Sequence, residues 1–171
     1  MGVQIIICVE ADKRSRTDNN YINQTLHHFY EITNDININY INMGGKSKYN
    51  SHEVSKRIKE LSSDYKLGKT SVVYCIDTDS FETNNTQKKE LDDITAFAEK
   101  NGYDLVLFCH DVEEVYWGQH VHDDNKKDTA VRFVKNKEIC NVDTKRLMSD
   151  KLSKCHSNVL NIFDKYLKRK R

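Results

Sequence analysis

Asp77-Thr78-Asp79 closes an apolar run, Val72-Val73-Tyr74-Cys75-Ile76. In an extended segment, residues two apart point to the same side with Cα atoms roughly 7 Å apart, so two carboxylates can converge on one cation. Two further apolar runs end the same way, in Cys8-Val9-Glu10 and in Cys109-His110-Asp111, the latter followed by Glu113 and Glu114. Carboxylates gathered in this way repel and raise one another's pKa, and a cation relieves that cost. An all-oxygen donor set favours Mg²⁺ or Mn²⁺ over zinc. The expected metal ligands are therefore Glu10, Asp77 and Asp79. Asp111 and Glu113, as acids opening a helix, also suit the helix dipole.

These positions need a frame. Gly2–Val9, Ser71–Ile76 and Leu105–Cys109 read as strands buried on both faces. Asp35–Met43 (DININYINM) alternates like a strand with one wet face, and suits either a sheet edge or a dimer seam. Helical spacing is found from about Asn20 to Ile32, after an Asn50/Glu53 capping box, over Gln87–Asn101 and over Val112–Val121. Asp123–Lys127 reads as a charged loop, and about Thr144 to Leu167 as a C-terminal helix. Alternating strands and helices predict an α/β fold: a mostly parallel four-stranded sheet covered by helices. Ligands in such sheets bind beyond the carboxyl ends of the strands, where the acidic residues fall.

The chain has 171 residues, 37% of them hydrophobic, which suits one domain with a core at about 3–121 and an extension over 122–171. With 27 basic against 26 acidic residues it is not globally basic. Lys145–Arg171 nevertheless carries nine Lys/Arg against two Asp, a local +7 in a chain of net charge +1. Such a tail suits phosphates or an acidic partner, and equally a solvated charged end. The odd number of cysteines, five, with Cys8, Cys75 and Cys109 in apolar runs, predicts reduced thiols in a cytoplasmic protein. No apolar run is long enough to span a membrane. Proline is absent, so turns rely on Gly, Asn and Asp.

The order of these motifs resembles the Toprim domain: a first strand ending in Val9-Glu10, a helix, and a later strand ending in Asp77-Thr78-Asp79, over about Val3–Val121. It is closest to the RloB-like Toprim proteins and the nucleases of the OLD type, on Cys8-Val9-Glu10, Thr17-Asp18-Asn19-Asn20-Tyr21 and His110–Tyr116. The resemblance implies a Toprim-like fold and a Mg²⁺-dependent (or Mn²⁺-dependent) nuclease acting on DNA or RNA, of the kind found near phage-defence genes. It implies Asp77 and Asp79 as metal ligands, Glu10 as general acid/base or second ligand, and Glu114 as the matching glutamate of the last motif. Lys13, Arg14, Arg16, Lys46, Lys48 and the terminal Lys168, Arg169, Lys170 and Arg171 are the candidates for phosphate contact. The alternative is a non-catalytic nucleic-acid-binding or sensor subunit working with a partner ATPase. A haloacid-dehalogenase phosphatase also uses Asp-x-Asp after a strand, but there a Gly-Thr follows near the chain start, where Ser80-Phe81 stands here. Zinc at Cys109, His110, His120 and His122 is a further option carried by proximity in sequence alone.

Overall fold

A computed structural model describes residues 2–12 and 17–171. Strands β1 (Gly2–Val9), β2 (Ile36–Asn42), β3 (Gly68–Asp77), β4 (Asp104–Cys109) and β5 (His156–Ser157) form one sheet in the order β2-β1-β3-β4-β5. The first four are parallel, and β5 runs antiparallel to β4. The α/β class and the mostly parallel sheet agree with expectation; the fifth strand is an addition to the four expected.

Alternation along β1 explains its unbroken apolar run. Ile5, Ile7 and Val9 enter one core with Tyr21, Leu26, Phe108, Phe133 and Phe163, while Ile6 and Cys8 enter the other with Val54, Ile58, Tyr74, Leu91 and Ile94. Helices α1 (Thr17–Phe29), α4 (Val112–Trp117), α5 (Lys126–Lys135) and α6 (Val159–Phe163) cover the first face. Helices α2 (His52–Asp64) and α3 (Asn85–Asn101) cover the second. A central strand covered on both sides has no wet face to mark with polar residues.

Local signals set several boundaries. Asn84 accepts from Thr86 N at 3.0 Å and Gln87 N at 3.2 Å to open α3, and Gly102, at φ 66°, closes it in the left-handed conformation. The cap of α2 is Ser51, whose Oγ accepts from Val54 N at 3.3 Å, one residue beyond the expected Asn50. β2 lies at the sheet edge, one of the two roles left open for the alternating segment.

The C-terminal helix expected over about Thr144–Leu167 is replaced by a 3₁₀ turn at Thr144–Met148, β5, and the short α6. The side chains of Ser149 and Ser157 satisfy backbone groups locally, and that of Asn158 bonds to backbone of β4, so all three compete with helix. Asn158 in particular accepts from Leu107 N at 2.9 Å and donates to Leu105 O at 3.0 Å, extending the β4 ladder with a side chain. Leu152, an apolar residue of that stretch, is 42% exposed. Helix α5 was not anticipated, because only Thr129, Ala130 and Phe133 of its ten residues turn inward while Val131 and Val134 face out. Among the described residues, no helix is long and apolar enough to cross a membrane.

Candidate functional site

β1 and β3 are neighbours with Val9 opposite Cys75, so their acidic ends meet directly. Asp77 N donates to Glu10 Oε1 at 2.7 Å, and Val112 N donates to Asp77 Oδ1 at 3.0 Å. One oxygen of each carboxylate is thereby held by a backbone N–H. The start of α1 returns to the same edge, where Asp18 Oδ2 accepts from Ala11 N at 3.0 Å. From the far side comes Asp111, the N-cap of α4, whose Oδ1 accepts from Glu114 N at 2.8 Å, with the buried Glu113 beside it.

These groups share one electrostatic environment. Burial drives the Asp77 carboxyl well above the usual carboxylate range, and repulsion from Glu10, Asp18, Glu113 and Asp111 adds to it. Burial also pushes Glu10 up to about 8, against the Asp77 N–H and Lys46, with Asp18 and Asp79 adding repulsion. Asp18 is raised by burial despite its bond from Ala11, and Glu113 is pushed up to about 7 by burial against the pull of Lys126. Glu10, Asp77, Asp18, Asp111 and Glu113 thus act on one another electrostatically near the carboxyl ends of β1, β3 and β4, although the sets whose ligand atoms fall within 4.8 Å among the described residues are others.

Two lysines offset part of this charge. Lys46, only 8% exposed, places Nζ 2.5 Å from Asp79 Oδ2, 3.1 Å from Asp77 O and 3.8 Å from Glu90. Lys126 Nζ lies 3.2 Å from Asp111, 3.7 Å from Glu113 and 3.3 Å from Asp123. The extended geometry expected through Asp79 stops at Asp77. Thr78 N and Asp79 N bond to Phe108 O and His110 O, and Asp79 turns to a φ of 49°. Its carboxylate pairs with Lys46 while still acting electrostatically on Glu10.

Glu114 is buried after β4, but its named contacts are His110 Nδ1 at 3.6 Å, Lys154 Nζ at 3.7 Å and Cys155 Sγ at 3.7 Å, on the β4–β5 side. Its carboxylate, with Asp111 and the exposed His120, brings ligand atoms within 4.8 Å of one another. Glu82, Cys109 and His110 do the same a short way off. His122 stacks edge-on against His120 at 5.2 Å.

The expected phosphate contacts divide. Lys46 is committed to the ion pairs above, whereas Lys48 lines a cleft of about 820 Å³ with Asp12, Asn42, Lys56 and Arg57. Lys13, Arg14 and Arg16 lie outside the described residues. The C-terminal end folds onto the end of α1 and the residues after it: Lys168 pairs with Glu31 at 2.8 Å and Lys170 Nζ donates to His27 O at 2.5 Å, while Arg169 pairs with Asp164 at 2.7 Å. Because α1 carries the chain from the carboxyl end of β1 to the start of β2, Lys168–Lys170 lie at the pole opposite Glu10 and Asp77; Arg171 is exposed beyond them.

Asp18 lies within the Thr17–Tyr21 motif but is not among the site residues expected from the sequence. Its signal was its place at the start of the helix that follows Glu10, which the βα connection returns to the same sheet edge. Glu82 belongs to the Ser80-Phe81-Glu82 segment that follows the Asp-x-Asp, which in the resembled family is acidic or polar. Comparison of the chain with protein-family models, with curated proteins and with solved structures found no match.

Proposed function

We propose that this chain is a divalent-metal-dependent nuclease of the Toprim type, cleaving phosphodiesters of DNA or RNA. The observation that carries the reading is the meeting of Glu10 and Asp77 at the carboxyl ends of β1 and β3, each with one oxygen anchored by a backbone N–H, among Asp18, Asp111 and Glu113. The order of Glu10 and the Asp77/Asp79 pair along the chain resembles that of the Toprim domain, and a mostly parallel sheet is compatible with it.

In this reading Asp77 is the central ligand and Glu10 shares the cation or serves as general acid/base. A carboxyl lying at about 8 is matched to proton transfer near neutral pH. When bound, Mg²⁺ or Mn²⁺ supplies Lewis-acid stabilisation of charge on the phosphate oxygens. Asp18, Asp111 and Glu113 add repulsion at Asp77 that a bound cation would relieve. Lys46 brings a positive charge to the rim, next to Asp79, where a phosphate would approach.

The test is incubation of the protein with DNA, RNA and tRNA in Mg²⁺, Mn²⁺ or EDTA beside an Asp77→Asn variant. Cleavage that needs the metal and disappears in the variant is expected; equal cleavage by both proteins would overturn the assignment. One observation favours a second reading, a non-catalytic nucleic-acid-binding or sensor subunit that works with a partner ATPase. The Lys46 ammonium already neutralises Asp79, an expected second ligand. Nucleic-acid binding by the wild type without cleavage in any metal selects that reading.

A further inference from the structure

Beside the carboxylate cluster, the end of β4 gathers a different set of donors. His110 Nε2 lies 3.0 and 3.1 Å from the two oxygens of Glu82, and Cys109 Sγ lies 4.0 Å from Glu82 Oε1. The thiol, imidazole and carboxylate ligand atoms all fall within 4.8 Å of one another. Tetrahedral zinc, with bonds of about 2.0–2.3 Å, holds its ligand atoms about 3.3–3.8 Å apart, so small side-chain adjustments close the set.

The other imidazole nitrogen adds an independent argument. His110 Nδ1 faces the buried carboxylate of Glu114 at 3.6 Å. A metal-binding histidine commonly gives its second N–H to a carboxylate, which fixes the tautomer and leaves the opposite nitrogen to coordinate. Here that opposite nitrogen, Nε2, is the one turned to Glu82 and Cys109. Cys109 forms the closed floor at 0% exposure, while the Glu82 and His110 side chains, 43% and 29% exposed, leave the site open to solvent. Three protein ligands and an open position suit a borderline-soft divalent ion, and the thiol and imidazole discriminate against Mg²⁺.

We propose that Glu82, Cys109 and His110 form a zinc-class metal site, separate from the Glu10/Asp77 cluster, with Glu114 as the carboxylate that orients His110. A cation there ties the turn after β3, which carries Glu82, to the end of β4. Since Asp79 N already bonds to His110 O at 2.9 Å, the same cross-link braces the segment bearing Asp79.

The test is titration of the full chain with Zn²⁺, and with Co²⁺ as a spectroscopic probe. One ion per chain is expected, bound in the presence of excess Mg²⁺ and retained by Asp77→Asn, with a thiolate-to-cobalt charge-transfer band. Cys109→Ser abolishes that band and Cys155→Ser keeps it. The surface variant Glu82→Gln, which leaves the core untouched should Cys109→Ser fail to fold, weakens Zn²⁺ binding at least about 10-fold, and Glu114→Gln weakens it by about 10–100-fold. Absence of Zn²⁺ binding, affinity unchanged in Glu82→Gln, a band that persists in folded Cys109→Ser, or binding lost only in His120→Ala would overturn the proposal. The last result would place the ion at Asp111, Glu114 and His120 instead.

Discussion

Replacing Glu10 by glutamine is expected to stabilise the metal-free protein at alkaline pH while removing its response to Mg²⁺. The Glu10 carboxyl lies at about 8 in the fold against an ordinary value of 4.5. Between those limits the folded chain binds a proton that the unfolded chain has released, so stability falls as pH rises through the window. At about 1.4 kcal/mol per pH unit, the full displacement corresponds to about 5 kcal/mol as a ceiling on the cost of ionising Glu10. Glutamine keeps an oxygen to accept from Asp77 N but never ionises. The variant therefore matches the wild type near pH 4.5 and gains on it up to about pH 8. Half of the ceiling raises the midpoint by about 5–10 °C for a chain of this size. The assay is thermal unfolding in EDTA across the pH range, repeated with Mg²⁺. A cation at 100 times its Kd adds about 2.7 kcal/mol to the wild type, and the variant gains much less. Glu10→Gln no more stable than wild type at pH 9 in EDTA, or stabilised equally by Mg²⁺, would refute the reasoning.

Lys46→Ala removes the cation paired with Asp79 and is expected to tighten Mn²⁺ binding several-fold, read by calorimetry; weaker binding would show that Lys46 supports the site instead. Phe133→Ala empties a position that is fully buried against Tyr21, Tyr116 and Trp117, and is expected to cost about 3–5 kcal/mol in chemical denaturation.

Much of the sheet was legible because buried parallel strands leave a strong one-dimensional signal. The apolar runs now seen as β1, β3 and β4 each end in acids, and the parallel topology brings the ends of β1 and β3 side by side. The C-terminal region was not legible. Its apolar residues suit a helix, yet Asn158 and the strand pair His156–Ser157 bond to the open edge of β4, an edge that exists only once the sheet has formed. Helix α5 was missed for a related reason: its inward side is a single phenylalanine with two small residues, and its weight comes from the aromatic cluster around Tyr21 and Tyr116.

The residue types alone determined that carboxylates close three strands and that Glu10 and Asp77 share a sheet edge, because β-α repetition leaves few other arrangements. Tertiary structure decided which carboxylates join them. Asp18 and Asp111 arrive through helix starts on either side, and the fold sets their bonds to Ala11 N and Glu114 N. It also decided that Asp79 turns to Lys46 and that Glu114 faces His110, since both depend on backbone bonds from β3 to β4 and on β5 closing the far edge. Strand ends follow from local hydrophobic pattern, whereas the partners of a side chain follow from which segments the finished sheet brings within reach.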